Sequence, residues 1–202
     1  MPRKGGPPPS VLVVGAGDRG AAYARYVLEH PEQGRVAAVA DPDPRARDRL
    51  GDAAGLPPGR RFVDWRAALD GRRVADAVLI ATPDREHAAP AIAFAAAGWA
   101  VLLEKPMAPT AAECRAIVAA VERAGVIFAV CHVLRYTPYT RRLRRLVADG
   151  VIGDLAGVTH LEPVGWWHFA HSYVRGNWRR ADLSSSVLMA KSCHDLDWIR
   201  FV

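Results

Sequence analysis

The sequence predicts an α/β fold: a doubly wound parallel sheet with helices on both faces. Three observations predict it. Short apolar runs alternate with helical segments of about ten to fifteen residues. The runs are apolar throughout instead of alternating with polar residues, as strands buried on both faces are. The first run, Val11–Val14, breaks into a glycine-rich turn that opens a helix. At 202 residues the chain is long enough for one domain, or one and part of another. With 50% hydrophobic and 24% charged residues it buries a core, and composition excludes a disordered chain.

Residues 1–9, which end in Pro7-Pro8-Pro9, read as a disordered, solvated tail. Val11–Val14 is the first strand, and Arg19–His30 has helical spacing. Arg35–Ala40 is a second strand, closed by Asp41. Pro44–Ala54 suits a helix with Asp43 as its N-cap. Arg61–Val63 is a short third strand, and Trp65–Leu69 a short helix. Ala75–Ala81 is the fourth strand, followed by a helix over Asp84–Ala97 that stops at Gly98. Ala100–Leu103 is the fifth strand. Thr110–Ala124 starts with the Thr110/Glu113 capping box, and Val126–Val130 is the sixth strand.

After about residue 133 the texture changes, so residues 10–133 form the nucleotide-binding domain and 134–202 begin a second α/β domain with an open sheet. In it, Thr137–Asp149 is a helix with a basic face. Leu155–Glu162 alternates like a strand with one wet face. Trp166–Arg180 is aromatic and irregular, its tryptophans suited to sheet core and subunit interface, and Val187–Val202 is a further helix. The last segment ends mid-pattern without a glycine cap or a proline stop, which reads as a fragment of a longer chain.

Composition also excludes function classes. The net charge of +6 permits nucleic-acid binding, but no stacking aromatics or reading helix accompany the arginines of Thr140–Leu146, so no nucleic-acid partner is expected. Three cysteines, Cys114, Cys131 and Cys193, with no C-x-x-C spacing argue against a disulfide scaffold or a zinc ribbon. His168, His171 and Cys193 have no spacing that compels a metal, and none is expected. The longest uncharged stretch, Ala88–Leu103, is short for a membrane helix and is interrupted by Pro90 and Gly98. The N-terminus lacks an apolar signal region, so the expected compartment is the cytoplasm.

The turn Gly15-Ala16-Gly17-Asp18-Arg19-Gly20 fits G-x-G-x-x-G between a strand and a helix, the context a dinucleotide site requires. The fold is therefore of Rossmann type. Gly15 makes the tight turn, Gly17 admits a pyrophosphate to the backbone, and Gly20 lets helix and sheet approach. The helix start, with Asp18 and Arg19, faces the phosphates with its N–H groups. Asp41, 21 residues beyond Gly20, is placed to accept from the ribose hydroxyls of NAD and to repel the phosphate of NADP. Arg45 and Arg47 follow it and leave NADP open. Of the 27 basic residues only Lys4, Lys105 and Lys191 are lysine. Arginine keeps its proton in a protein, whereas lysine releases it when desolvated or placed near another cation. Lys105 and Lys191 are thus candidates for a titratable amine.

The GAGDRG turn, Asp41, Ala81-Thr82-Pro83…His87 and above all Glu104-Lys105-Pro106 resemble the Gfo/Idh/MocA family. The segments Trp167–Trp178 and Ala190–Asp197 resemble one branch of it, and the likeness runs from Ser10 to Val202. The resemblance implies an NAD(P)-dependent oxidoreductase acting on a secondary alcohol of a sugar or polyol. It implies an N-terminal Rossmann domain and a C-terminal domain whose open sheet, where present, builds homo-oligomers. Carried over by motif, Lys105 sits beside the nicotinamide and the reacting hydroxyl, while Glu104 and Pro106 shape its loop. Thr82, Pro83 and His87 line the cofactor groove, and His194 is the histidine near the substrate. The family's aspartate four residues before that histidine is Ala190 here, which does no acid–base work; Lys191 or Asp195 is left to compensate. Two alternatives stand beside this reading: a glycosidase of the same superfamily that oxidises only transiently, and a non-catalytic dinucleotide binder.

Overall fold

A computed structural model describes residues 6–176, 178–180, 182 and 184–202. The first residues of the expected tail, and Asn177 within the aromatic segment, lie outside the described residues. The chain divides into two compact units, one ending at Val130 and the other spanning Cys131–Val202.

In the first unit, six strands form one all-parallel sheet: β1 (Ser10–Val14), β2 (Arg35–Ala40), β3 (Arg61–Phe62), β4 (Ala77–Ile80), β5 (Ala100–Leu103) and β6 (Phe128–Val130). Their spatial order is β3-β2-β1-β4-β5-β6, which reverses direction between β1 and β4. That reversal opens a crevice at the carboxyl ends of the strands, where doubly wound sheets bind ligands. The helices are α1 (Asp18–Glu29), α2 (Pro44–Ala53), α3 (Ala88–Ala96) and α4 (Ala111–Ala124). The caps form as the residues demand: the Asp43 carboxylate accepts from the Arg45 amide, and Thr110 and Glu113 cap each other reciprocally.

Successive strand residues point to opposite faces, and each face has its own core. Leu12, Val14, Val78, Ile80 and Leu103 pack with Phe94 of α3 and Ile117 of α4. Val13, Val39 and Leu79 pack with Ala24 of α1 and Leu50 of α2. Pro9 does not hang free as tail: its carbonyl accepts from the Arg35 amide at 3.0 Å, and this extends the edge of the β1–β2 pair.

The second unit contains α5 (Pro138–Ala148), α6 (Trp166–Phe169), which runs on as a π-helical turn over Ala170–Arg175, and α7 (Val187–Phe201). Two expectations fail here. Leu155–Glu162 is extended but forms no strand, because among the described residues no neighbour supplies a ladder of hydrogen bonds; Leu161 is 83% exposed. Over Trp166–Arg175 the aromatic segment is helical instead of irregular, and Trp166 and Trp167 lie at 82% and 65% exposure instead of in a core. Trp198 is the tryptophan that packs. It stacks on Tyr139 and donates from Nε1 to the buried Thr140 hydroxyl at 2.9 Å.

Ser10 and Asp76 tie the start of β1 to the start of β4. The Asp76 carboxylate accepts from the Ser10 amide at 2.8 Å and from its hydroxyl at 2.6 Å. These bonds hold the Asp76 carboxyl below the ordinary value of 3.8. A depressed folded-state pKa adds stability above the unfolded value that is lost as pH falls through the folded one. Asp76→Asn is therefore expected to cost about 1 kcal/mol at neutral pH, discounted for exposure. In urea titrations the gap to the parent protein should close below about pH 4.

Candidate functional site

The strand order sets the site. Gly15 leaves β1 with φ of +90°, and its amide donates to the Ala40 carbonyl at 2.9 Å. A Cβ at Gly15 would lie 2.6 Å from the carbonyl oxygen of Ala81, so glycine is required where β1 passes the end of β4. A Cβ at Gly20 would lie 1.8 Å from the Gly15 carbonyl oxygen, so the first turn of α1 rests directly on the loop. Gly17 differs from both. Its φ is −64°, and a Cβ there would meet nothing within 4 Å. The protein's own packing needs Gly15 and Gly20 but not Gly17. Gly17 is also the N-cap of α1 and supplies no side-chain bond, so the first N–H groups of the helix carry no side-chain cap.

Asp41 closes one side of this loop. Its Oδ2 accepts from the Ala16 amide at 2.6 Å and its Oδ1 from the Asp43 amide at 2.8 Å. The Arg47 guanidinium donates to the Asp41 backbone carbonyl at 2.9 Å. The carboxylate thus stands against the glycine loop at the end of β2.

Across the crevice, Glu104 ends β5 and is buried at 7% exposure. Its Oε1 accepts from the Tyr23 hydroxyl at 2.8 Å and lies 3.5 Å from Arg19 Nε; its Oε2 accepts from the Lys105 amide at 2.8 Å. Tyr23 is absent from the sequence-based site. The signal that would have found it is helical spacing, since Arg19 and Tyr23 are four residues apart on one face of α1. The Lys105–Pro106 peptide is cis.

His87 requires a correction. The expectation has it lining the cofactor groove, but the ring is 1% exposed and both nitrogens face backbone carbonyls. Nδ1 lies 2.9 Å from the Pro106 oxygen and Nε2 2.9 Å from the Thr82 oxygen. Its place is between the Thr82-Pro83 and Lys105-Pro106 segments, which it holds together. The Thr82 hydroxyl oxygen beside it is buried and has no hydrogen-bond partner among the described residues.

In the second unit, His194 lies on α7, its ring edge-on to His132 with centroids 5.9 Å apart. The two residues expected to compensate for Ala190 each contact another histidine. Lys191 Nζ is 2.7 Å from His168 Nε2, and Asp195 Oδ1 is 2.9 Å from His160 Nε2. The carboxylate that sequence reasoning missed is Asp197, three residues beyond His194 on the same helix face. It accepts from Arg135 through both oxygens, at 2.7 Å for Nε, and lies 3.9 Å from His132 Nε2. Burial pushes the Asp197 carboxyl up. The Arg135 bond and the charges of His132, Arg135 and His194 outweigh burial and hold it below the usual carboxylate range. Asp197 in turn raises Arg135. Among the described residues, the side chains that bring three ligand-type atoms within 4.8 Å of one another are His160, Glu162 and Asp195, a set the sequence does not mark. No helix among the described residues is long and apolar enough to cross a membrane.

A family profile described as an oxidoreductase family with an NAD-binding Rossmann fold, Gfo/Idh/MocA, matches residues 10–132. The chain belongs to the Gfo/Idh/MocA oxidoreductase family. It is 40% identical over 145 residues to an inositol 2-dehydrogenase of Streptomyces avermitilis, an alignment that covers 71% of this chain and 41% of that protein. It is 27% identical over 190 residues to 2,7-anhydro-N-acetylneuraminate hydratase of Escherichia coli K12, covering 93% of this chain and 48% of the hydratase. Among solved structures, scyllo-inositol dehydrogenase from Lactobacillus casei with bound NAD(H) superposes with a TM-score of 0.80 at 20% identity, over 96% of this chain and 56% of that one. At that identity the likeness shows the Gfo/Idh/MocA fold alone. The chain spans about half the length of the curated relatives it matches.

Gly20 and Gly17 should separate in a thermal denaturation experiment. Gly20→Ala is expected to cost more than about 3 kcal/mol, because the new methyl overlaps fixed backbone. Gly17→Ala is expected to stay within about 1 kcal/mol of the parent.

Proposed function

We propose that this chain binds NAD and belongs to a dehydrogenase that oxidises a secondary alcohol of a sugar or polyol. The observation that carries the reading is Gly17, a glycine that the protein's own packing does not use, beside a helix start with no side-chain cap. A close-lying pyrophosphate accounts for both. The residues fit the cofactor elsewhere too. Asp41 holds the ribose hydroxyls and disfavours the extra phosphate of NADP, although Arg47 lies beside it.

When bound, the nicotinamide supplies the hydride chemistry. The chain's own groups handle the rest. Glu104 fixes the Lys105 backbone, and His87 ties the Thr82-Pro83 and Lys105-Pro106 segments to each other. Lys105 holds the substrate hydroxyl and exchanges its proton. His194 is the second proton-handling group, with the Asp197 carboxylate on the same helix as its counter-charge, while Lys191 pairs with His168 instead. The chain works as part of a homo-oligomer where a complete C-terminal sheet is present.

A second reading is favoured by the similarity to a protein named a hydratase. On that reading NAD is bound and reduced only transiently, so no NADH accumulates.

Two variants test the proposal. Gly17→Val should weaken NADH binding at least about tenfold with little change in melting temperature, because only the ligand's approach is blocked. Lys105→Ala should leave NADH affinity within about threefold and remove hydride transfer to a confirmed substrate. Unchanged NADH binding in the first would dismiss the assigned site, and unchanged turnover in the second would dismiss the role of Lys105. Steady absorbance of NADH during product release would select the second reading.

A further inference from the structure

Arg19 is loosely held. Its Nε stands 3.5 Å from Glu104 Oε1, and its side chain is 62% exposed whereas that of Glu104 is 9% exposed. Glu104 does not depend on this contact, because the Tyr23 hydroxyl and the Lys105 amide each donate to it at 2.8 Å. Arg19 is the second residue of α1, at the helix start that faces the open position at Gly17. Its neighbour Asp18 is exposed there, and its negative charge opposes an incoming phosphate even as it suits the helix dipole. An anion at this turn therefore meets one repelling side chain and one guanidinium whose present partner is weak.

We infer that Arg19 exchanges partners. In the free chain it pairs with Glu104; when a pyrophosphate lies on the helix start it turns to the phosphate oxygens, which accept its planar fork of donors. Tyr23 is the positioning residue that keeps Glu104, and through it the Lys105 backbone, in place after Arg19 leaves. The inference rests on the dinucleotide reading given above and adds to it a carboxylate that competes with the ligand for Arg19.

The competition has a sign that ordinary site damage does not. Removing the charge of Glu104 should release Arg19 and tighten binding. The probe is ADP-ribose, which carries the pyrophosphate but no nicotinamide, so contacts at the Lys105 end contribute nothing. Calorimetry on the full chain should give about 2- to 5-fold tighter binding for Glu104→Gln, the range of an exposed ion pair. Arg19→Met should weaken binding, and adding Glu104→Gln to it should then bring no gain. Weaker binding by Glu104→Gln, or the same gain with and without Arg19, overturns the exchange. Salt dependence tests the contact without touching a buried group: the fall of affinity with salt should be shallower for Arg19→Met, and an equal slope overturns the phosphate contact. If the parent protein binds no ADP-ribose, the dinucleotide reading falls and this inference with it. Binding with a flat cycle overturns the exchange alone.

Discussion

The arrangement depends on one close approach. The first turn of α1 rests on the loop that leaves β1, so near that a single added carbon at Gly20 would sit 1.8 Å from the Gly15 oxygen. Such contact is available only to backbone without a side chain. It fixes the direction of α1, and therefore which way its first N–H groups point. It also fixes the phase of the helix, so that Arg19 and Tyr23 share a face turned to the end of β5. Two residues from one helix thereby reach a carboxylate 81 positions away from Tyr23 in the chain.

Around that contact the sheet acts as a frame. Its strands carry apolar side chains to both faces, and each face is closed by its own pair of helices. Burial on both sides leaves the strand ends as the places where polar residues meet. Asp41 ends β2, Thr82 follows β4 and Glu104 follows β5, and backbone bonds stitch these ends together. His87 spans two of them with its ring, and the cost of burying an imidazole is offset because both nitrogens meet carbonyl oxygens. The result is a crevice whose walls are set by packing before any ligand arrives.

The second unit is organised by polar contacts around a helix. Trp198 packs against Tyr139 and His160, and Asp197 joins Arg135 to the histidine pair His132 and His194. Many of its large apolar side chains stay exposed, including Leu161, Trp166, Leu188 and Leu196. That exposure explains why periodicity misled. Leu155–Glu162 has the alternation of a strand, but alternation describes a surface that needs a partner, and none exists among the described residues.

By itself the sequence determined the βαβ order, the six parallel strands, the caps at Asp43 and Thr110, and the glycine turn with Asp41 beyond it. These depend on local geometry: strand burial, helix capping and positive φ are written in residues near one another. It also brought Lys105 and His194 forward, through short motifs. Only the tertiary structure decided that Gly17 is open while its two neighbours are filled, and that His87 is a buried tie instead of a wall. It alone supplied Tyr23 as the partner of Glu104 and Asp197 as the carboxylate near His194. Each of those answers is a distance between atoms that the folded backbone brings together. Hydrophobic periodicity sets which face of an element is buried, but not which polar atom on another element meets it there.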